Sequence, residues 1–315
     1  MKQRIRLRGT ELDVSPVALG TVRAGLDWDG AEADALLGRY LDLGGNVIDS
    51  ARVYFDWVEP EIGRSERVLG DWFRRASRRE EVVLITKGGH PNRHSMHVGR
   101  MGQAEMEYDL ELSLKTLGVE YIDIYFYHRD DPSRPVGELL ERMEGFRRAG
   151  KIRYYGCSNW TTERMREADD YARAHGLRGF VANQNLYNLA SKYMKPFEDD
   201  TMVTADEAML DYYRQSQNTP MPYFGNCGGF FHHLERFGAE AVRDSCYYTP
   251  ENLALAARLG QLREKYGCTI TQALMGFFFT RDFPVVPLAG TANLVQLEDL
   301  MVSTEIPFEA ADFEI

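Results

Sequence analysis

The chain has 315 residues, 44% of them hydrophobic and 12% aromatic, enough to bury a large core. Its 37 basic and 48 acidic residues give a formal charge of −11 with no sustained basic run, which argues against nucleic acid or an anionic membrane surface as a partner. The opening residues, Met1 to Arg8, lack the apolar core of an export signal, and the most apolar stretch, Ala273 to Phe279, is too short to span a bilayer. Four cysteines without Cys-x-x-Cys spacing (Cys157, Cys227, Cys246, Cys268) read as reduced buried thiols of a cytoplasmic protein.

Arg4 to Val14, turning at Gly9-Thr10, alternates like a short β-hairpin. Val17 to Val22 then reads as a strand and Ala31 to Leu43 as an amphipathic helix. The run ending at Asp49 is followed by a helix over Ser65 to Ala76. Val82 to Thr86 precedes Gly102 to Leu117, which carries Leu110, Leu114 and Leu117 at helical spacing. Tyr121 to Tyr127 precedes Val136 to Ala149, with Gly150 as the stop. Ile152 to Cys157 leads to Thr162 to Ala174, and Phe180 to Asn185 to Ala205 to Tyr213. Met221 to Gly225 leads into a loop, after which helices cover Glu251 to Tyr266 and Thr271 to Thr280. Val285 to Leu288 is the last strand and Val295 to Met301 the last helix.

Eight strand–helix units with short joins and no dividing linker predict one domain over residues 1–315. The predicted fold is an α/β protein, a (β/α)8 TIM barrel with a short N-terminal β-hairpin. An open doubly wound sheet is disfavoured, because Gly20-Thr-Val-Arg-Ala-Gly25 is too sparse in glycine for a dinucleotide turn. Three long irregular stretches, 90–100, 189–204 and 226–248, fall after strands three, six and seven, where loops form pocket walls or lids.

Four polar residues end separate apolar runs or lie just beyond them: Asp49, Tyr54, Lys87 and His128. In a parallel barrel such positions meet at the carboxyl-end mouth. An acid, a phenol, an amine and an imidazole together make a proton-transfer site. Taken singly, each has a plainer reading: a helix cap, a loop aromatic, a solvated lysine, a satisfied buried histidine. Together, at successive strand ends, they favour catalysis.

With Gly20-Thr21, Asn46-Val-Ile-Asp49-Ser50, Thr86-Lys87, Asp123-Ile-Tyr-Phe-Tyr-His128, Gly150-Lys-Ile-Arg-Tyr-Tyr-Gly-Cys-Ser158-Asn159 and Gln184, the chain resembles the aldo-keto reductase family over nearly its whole length. The resemblance implies NAD(P)-dependent interconversion of an aldehyde or ketone and an alcohol. Tyr54 would be the general acid, Lys87 would lower its pKa, Asp49 would orient Lys87, and His128 would bind the carbonyl or shuttle the proton. The same resemblance assigns cofactor contacts to Ser158, Asn159 and Gln184 on the carboxamide and to Tyr223 stacked on the ring. Further contacts would come from Gly20, Thr21, Phe224, Gly225, Asn226, Gly228, Gly290, Thr291, Asn293, Gln296 and Asp299.

Two departures stand out. The segment Phe224-Gly-Asn-Cys-Gly-Gly-Phe230 replaces the family's Ser-Pro-Leu, and its glycines suit a backbone close to a pyrophosphate. Residues 290–299 carry no Lys or Arg but do carry Glu298 and Asp299, so NADP(H), implied by the resemblance, competes with NAD(H), favoured by these residues. Arg23, Trp57, His90, Arg129 and Trp160, beside Phe55, Asp130 and Asn159, lie at expected entrances and suit a polyhydroxylated, sugar-derived carbonyl. His90, His94 and His97 raise a metal reading, but Pro91 and Asn92 break any helix that would align them, so no metal is expected. A metal-dependent hydrolase on the same barrel and a nicotinamide-binding redox sensor with little turnover are the competing functions. Nothing in the residues fixes an oligomeric state.

Overall fold

The computed structural model describes residues 3–59 and 61–314. The chain opens with the antiparallel pair β1 (Ile5–Arg6) and β2 (Asp13–Val14), Ile5 opposite Val14. Between them Thr10 Oγ1 donates to the Leu7 carbonyl at 2.8 Å and closes the turn. Leu7, Leu12 and Val14 of this hairpin join Val47, Ile85, Ile124, Phe126, Met221 and Val286 in one buried cluster, so the hairpin plugs the floor of the barrel.

The barrel strands are β3 (Ala18–Gly20), β4 (Val47–Asp49), β5 (Val83–Gly88), β6 (Ile122–Tyr127), β7 (Ile152–Ser158), β8 (Ala182–Gln184), β9 (Thr219–Pro220) and β10 (Leu288–Ala289). All neighbouring pairs are parallel in the order β10-β3-β4-β5-β6-β7-β8-β9. The seam between β9 and β10 is one-sided: Val286 N donates to Pro220 O at 3.0 Å and Leu288 N to Pro222 O at 2.8 Å. Prolines have no N–H to return, so the ring closes on their carbonyls alone. The same chemistry shifts β9 from the expected 221–225 to Thr219–Pro220. Met221 N still bonds Asn183 O at 2.9 Å on the other side.

Around the strands lie α1 (Gly30–Asp42), α2 (Arg64–Ala76), α3 (Gln103–Leu117), α4 (Val136–Arg148), α5 (Thr162–His175), α6 (Glu207–Ser216), α7 (Phe230–Phe237), α8 (Pro250–Tyr266), α9 (Ile270–Phe279) and α10 (Leu294–Val302). Their starts are set by local caps. Asp29, Thr161, Asp206, Thr249, Thr269 and Asn293 each accept a backbone N–H with the side chain. Gly118, Gly176 and Gly267 end α3, α5 and α8 in the left-handed region. One helix, α7, occupies part of the stretch expected to be irregular. Gly228 (φ 60°) and Gly229 (φ 81°) turn the chain, and Phe230 and Phe231 then bury one face of it. No described helix is long and apolar enough to cross a membrane.

Candidate active site

Alternation along a strand decides which side chains reach the barrel interior. On β5, Thr86 faces outward, where its hydroxyl donates to the buried Glu66 carboxylate at 2.6 Å, and Lys87 faces inward. Asp49 is the last residue of β4, and His128 follows β6. Tyr54 sits on the turn after β4. That turn is tied to β5 by Arg52 N donating to Lys87 O at 3.1 Å. These residues share a cavity of about 520 Å³ at the carboxyl ends of the strands.

The four polar side chains converge. Lys87 Nζ lies 2.7 Å from Asp49 Oδ2, 2.8 Å from the Ser50 carbonyl oxygen and 2.8 Å from Tyr54 Oη, so each ammonium hydrogen has an acceptor. Tyr54 Oη also donates to Asp49 Oδ2 at 3.2 Å. Gln184 Nε2 donates to the other carboxylate oxygen, Asp49 Oδ1, at 2.7 Å. The His128 ring packs edge-on to Tyr54, centroids 5.8 Å apart, and its Nδ1 is buried with no partner among the described residues. An unpaired N–H there would be costly, which favours the tautomer carrying its proton on Nε2.

Burial lowers the Lys87 ammonium's pKa, with the Asp49 carboxylate working against that shift. It raises the Tyr54 phenol well above its ordinary range, and Asp49 adds to this. The net shift is upward: desolvation and the neighbouring carboxylate outweigh any lowering by the Lys87 ammonium, and Tyr54 is held protonated. Burial, then His90, Arg129 and Lys87, push the His128 imidazolium well below its usual range, leaving the ring neutral.

The candidate cofactor residues divide into two groups. Gly20, Asp49, Ser158, Asn159, Gln184, Tyr223, Phe224, Asn226, Gly228, Gly290, Thr291 and Gln296 line the cavity. Ser158 Oγ donates to Gln184 O at 2.8 Å, and Asn159 Nδ2 to Ser158 Oγ at 3.0 Å. Asn159 Oδ1 accepts from Tyr223 Oη at 2.6 Å and from Val203 N at 3.0 Å, which fixes the Tyr223 ring. Thr291 Oγ1 is buried in this wall without a partner, an orphan that a bound dinucleotide could satisfy.

The others do not face the cavity. Thr21 is fully buried and bonds Ser65 and the Asp49 carbonyl. Gly225 packs its backbone near Met275 and Phe278. Asn293 caps α10, and Asp299 accepts from Thr269 and Gln272 at the start of α9.

Of the candidate substrate residues, Arg23, Trp57, His90 and Arg129 line the cavity. Trp160 does not: it is fully buried against Phe180 and Tyr127, with the Arg164 guanidinium over its ring. Arg129 is already committed, donating to His128 O at 3.0 Å, Thr201 Oγ1 at 3.0 Å and Asp199 Oδ2 at 3.1 Å. It straps the 189–204 loop over the mouth instead of reaching freely for substrate. The other loop histidines do not converge with His90. His97 pairs with Asp200 at the surface, and no group of three or more metal-binding side chains occurs among the described residues.

Several lining residues carried no sequence signal. Trp28 donates its indole N–H to Thr291 O at 3.1 Å, joining the loops after β3 and β10. Asp27 holds Arg23, and Val22, Val53 and Met202 supply apolar wall.

Known proteins share this arrangement of sequence. A model of the Aldo/keto reductase family matches residues 16–315. Norsolorinic acid reductase B of Aspergillus parasiticus is 32% identical over 210 residues, which cover 62% of this chain and 53% of that protein. The chain thus spans little more than half the length of that relative. Norsolorinic acid reductase stcV of Emericella nidulans is 27% identical over 316 residues, covering 96% of this chain and 76% of the relative. Aldo-keto reductase YhdN of Bacillus subtilis is 29% identical over 224 residues, 70% of this chain and 61% of its own length. With the family model spanning all but the hairpin and the eight parallel strands in place, the chain belongs to the aldo/keto reductase family.

Proposed function

We propose that this protein is a nicotinamide-dependent oxidoreductase that interconverts a carbonyl compound and its alcohol. The observation that carries the reading is the Lys87 ammonium held 2.8 Å from Tyr54 Oη and 2.7 Å from Asp49 Oδ2 at the floor of the cavity. A bound nicotinamide dinucleotide would supply or take up the hydride at the substrate carbon. Tyr54, kept protonated by burial and Asp49, donates its proton to the carbonyl oxygen. The phenolate left behind forms against the Lys87 ammonium, which offsets its desolvation. Neutral His128 donates from Nε2 to the same oxygen and orients it. Asp49 keeps Lys87 charged, and through Oδ1 it turns the Gln184 amide so that its oxygen can accept from the cofactor's carboxamide.

Ser158, Asn159 and Gln184 would hold that carboxamide, and Tyr223 its ring. The adenosine half must then occupy the opposite end of the cavity, near Trp28, Asn226, Gly290, Ala292 and Gln296. Those residues include no basic side chain, the neighbouring Arg23 is paired with Asp27, and nearby Arg39 is occupied by Glu298. A 2′-phosphate dianion finds no unpaired cation there, so NAD(H) binds at least as well as NADP(H). At the mouth, Trp57 packs on Phe55 at 4.7 Å, and Phe224 faces Phe197 at 5.9 Å. These faces suit a flat substrate, an aryl ring or the apolar face of a sugar. An aryl-alcohol dehydrogenase of Pestalotiopsis microspora, 31% identical over 200 residues that cover 59% of this chain and 50% of its own length, favours the aryl carbonyl. Turnover of a panel of aryl aldehydes, aryl ketones, aldoses and keto-sugars with each nicotinamide tests the reading. Absence of nicotinamide oxidation with every member would refute it.

A further inference from the structure

His90 has no part in the proton-transfer set, yet it is placed with care. Gly88 packs its Cα against Tyr125, where a Cβ would meet the phenol oxygen at 2.0 Å, and Gly89 takes φ +74°. Only this glycine pair lets the chain leave β5 and fold His90 back over the cavity beside Lys87. The bend is clamped: Gly89 N donates to Asp109 Oδ2 at 2.9 Å, and Arg100, itself paired with Asp109, donates to His90 O at 3.0 Å. The ring is clamped as well. Its Nδ1 lies 2.6 Å from the Pro91 carbonyl, an acceptor only, so the hydrogen sits on Nδ1. Burial and Arg129 push the imidazolium pKa down to about 4, so the ring is neutral and Nε2 carries a lone pair. That nitrogen has no partner among the described residues, in a ring that lines the cavity 4.6 Å (centroid to centroid) from His128.

Beside the donors Tyr54 and His128, the site therefore presents an acceptor. We infer that His90 Nε2 accepts a hydrogen bond from a substrate hydroxyl next to the reacting carbonyl, making the protein selective for α-hydroxycarbonyl compounds. The inference rests on the oxidoreductase reading and deepens it. Rings this close can serve two oxygens on neighbouring carbons: the carbonyl oxygen takes donors from Tyr54 and His128, and the hydroxyl gives its hydrogen to His90. A ketone without the hydroxyl leaves Nε2 unpaired, and an O-methyl ether offers it no hydrogen.

The test compares 2-hydroxyacetophenone, acetophenone and 2-methoxyacetophenone with the wild type, His90→Phe and His90→Gln, using whichever nicotinamide supports turnover. The wild type should favour the hydroxyketone in kcat/KM by about tenfold or more, the worth of one well-placed hydrogen bond. His90→Phe keeps a ring of similar size without the acceptor. It should lower kcat/KM for the hydroxyketone more than for acetophenone and so erase that preference, and His90→Gln, with an amide oxygen, should retain part of the preference. Equal rates for the three ketones in the wild type, or an unchanged preference in His90→Phe, would overturn the inference and leave the oxidoreductase reading standing. Failure of every carbonyl with both nicotinamides would remove that reading and this inference with it.

Discussion

Replacing Tyr54 by Phe removes one oxygen from the centre of the site, and its consequences can be worked from the distances. Lys87 Nζ loses the acceptor at 2.8 Å but keeps Asp49 and the Ser50 carbonyl, so the buried ion pair survives. Asp49 Oδ2 loses only the longer contact of 3.2 Å and retains Lys87, while Oδ1 retains Gln184. The structural cost is therefore one unpaired ammonium hydrogen, about 1–3 kcal/mol before solvent fills the gap. The chemical cost is larger. Without a positioned acid the rate should fall by about 10²–10⁴ in kcat, the usual worth of general acid catalysis. Dinucleotide affinity should change little, because Ser158, Asn159, Gln184 and Tyr223 do not contact the lost hydroxyl. Steady-state reduction of an aryl ketone, paired with a tryptophan-fluorescence titration of the cofactor, measures both quantities. A Tyr54→Phe enzyme within tenfold of wild-type kcat would place the acid elsewhere and defeat the assignment.

Three further outcomes follow from the same geometry. Fluorescence titration should give an NADH dissociation constant no weaker than that for NADPH. Ala292→Arg, adding a cation to the adenosine end, should tighten NADPH by roughly tenfold, about the 1.4 kcal/mol of a single charged hydrogen bond, with little effect on NADH. Glu66 is buried beneath β5 with a pKa raised to about 7 by desolvation, above the ordinary 4.5. The folded protein thus holds a proton the unfolded chain has lost between those values, and stability falls as pH rises through about 7. Glu66→Gln should remove that loss and raise the melting temperature at pH 8 more than at pH 5, by up to about 3 kcal/mol in stability. An equal change at both pH values would contradict the buried-acid account. Asp199→Ala releases Arg129 and unfastens the loop over the mouth, a pair with side chains 11% and 29% exposed. KM for the carbonyl should rise several-fold, matching about 1 kcal/mol, with kcat less affected. A drop confined to kcat would show that Arg129 acts on the chemistry and not on the strap.

The strand and helix order was legible because each element carries a local cause. Val47-Ile-Asp49 and Val83 to Gly88 are buried throughout and read as apolar runs, and capped helices such as α5 and α9 announce their starts with Thr161 and Thr269. The seam at β9 was misplaced because Thr219-Pro-Met-Pro222 looks like a turn. Its role depends on two carbonyls meeting an N–H pair more than sixty residues later, which no local pattern encodes. Helix α7 was missed for a related reason. Three glycines and two histidines obscure the short apolar face of Phe230, Phe231 and Leu234, and that face becomes decisive only once the barrel wall stands opposite.

The site divides along the same line. Asp49, Lys87 and His128 end strands, so their convergence follows from barrel geometry once the strands are found. Loop residues have no such constraint. Arg129 and Trp160 sit at equivalent places in sequence, one residue beyond His128 and Asn159, yet one guanidinium lines the cavity and the indole lies in the core. Direction after a strand end is set by the first backbone turn. Asn159 at φ 62° sends the chain inward, so Trp160 packs between Phe180 and Tyr127 while Asn159 itself stays at the mouth. Gly89 at φ +74° does the reverse for His90, returning its ring to the cavity. Both turns take a positive φ, so what separates the two residues is where each side chain then lands: Trp160 against Phe180 and Tyr127, His90 on the cavity wall. It follows that Gly89→Ala, which strains that turn and brings a Cβ to 2.8 Å from Met106 Sδ, should displace His90 and weaken selection for a neighbouring hydroxyl while Lys87 and Tyr54 keep their contacts.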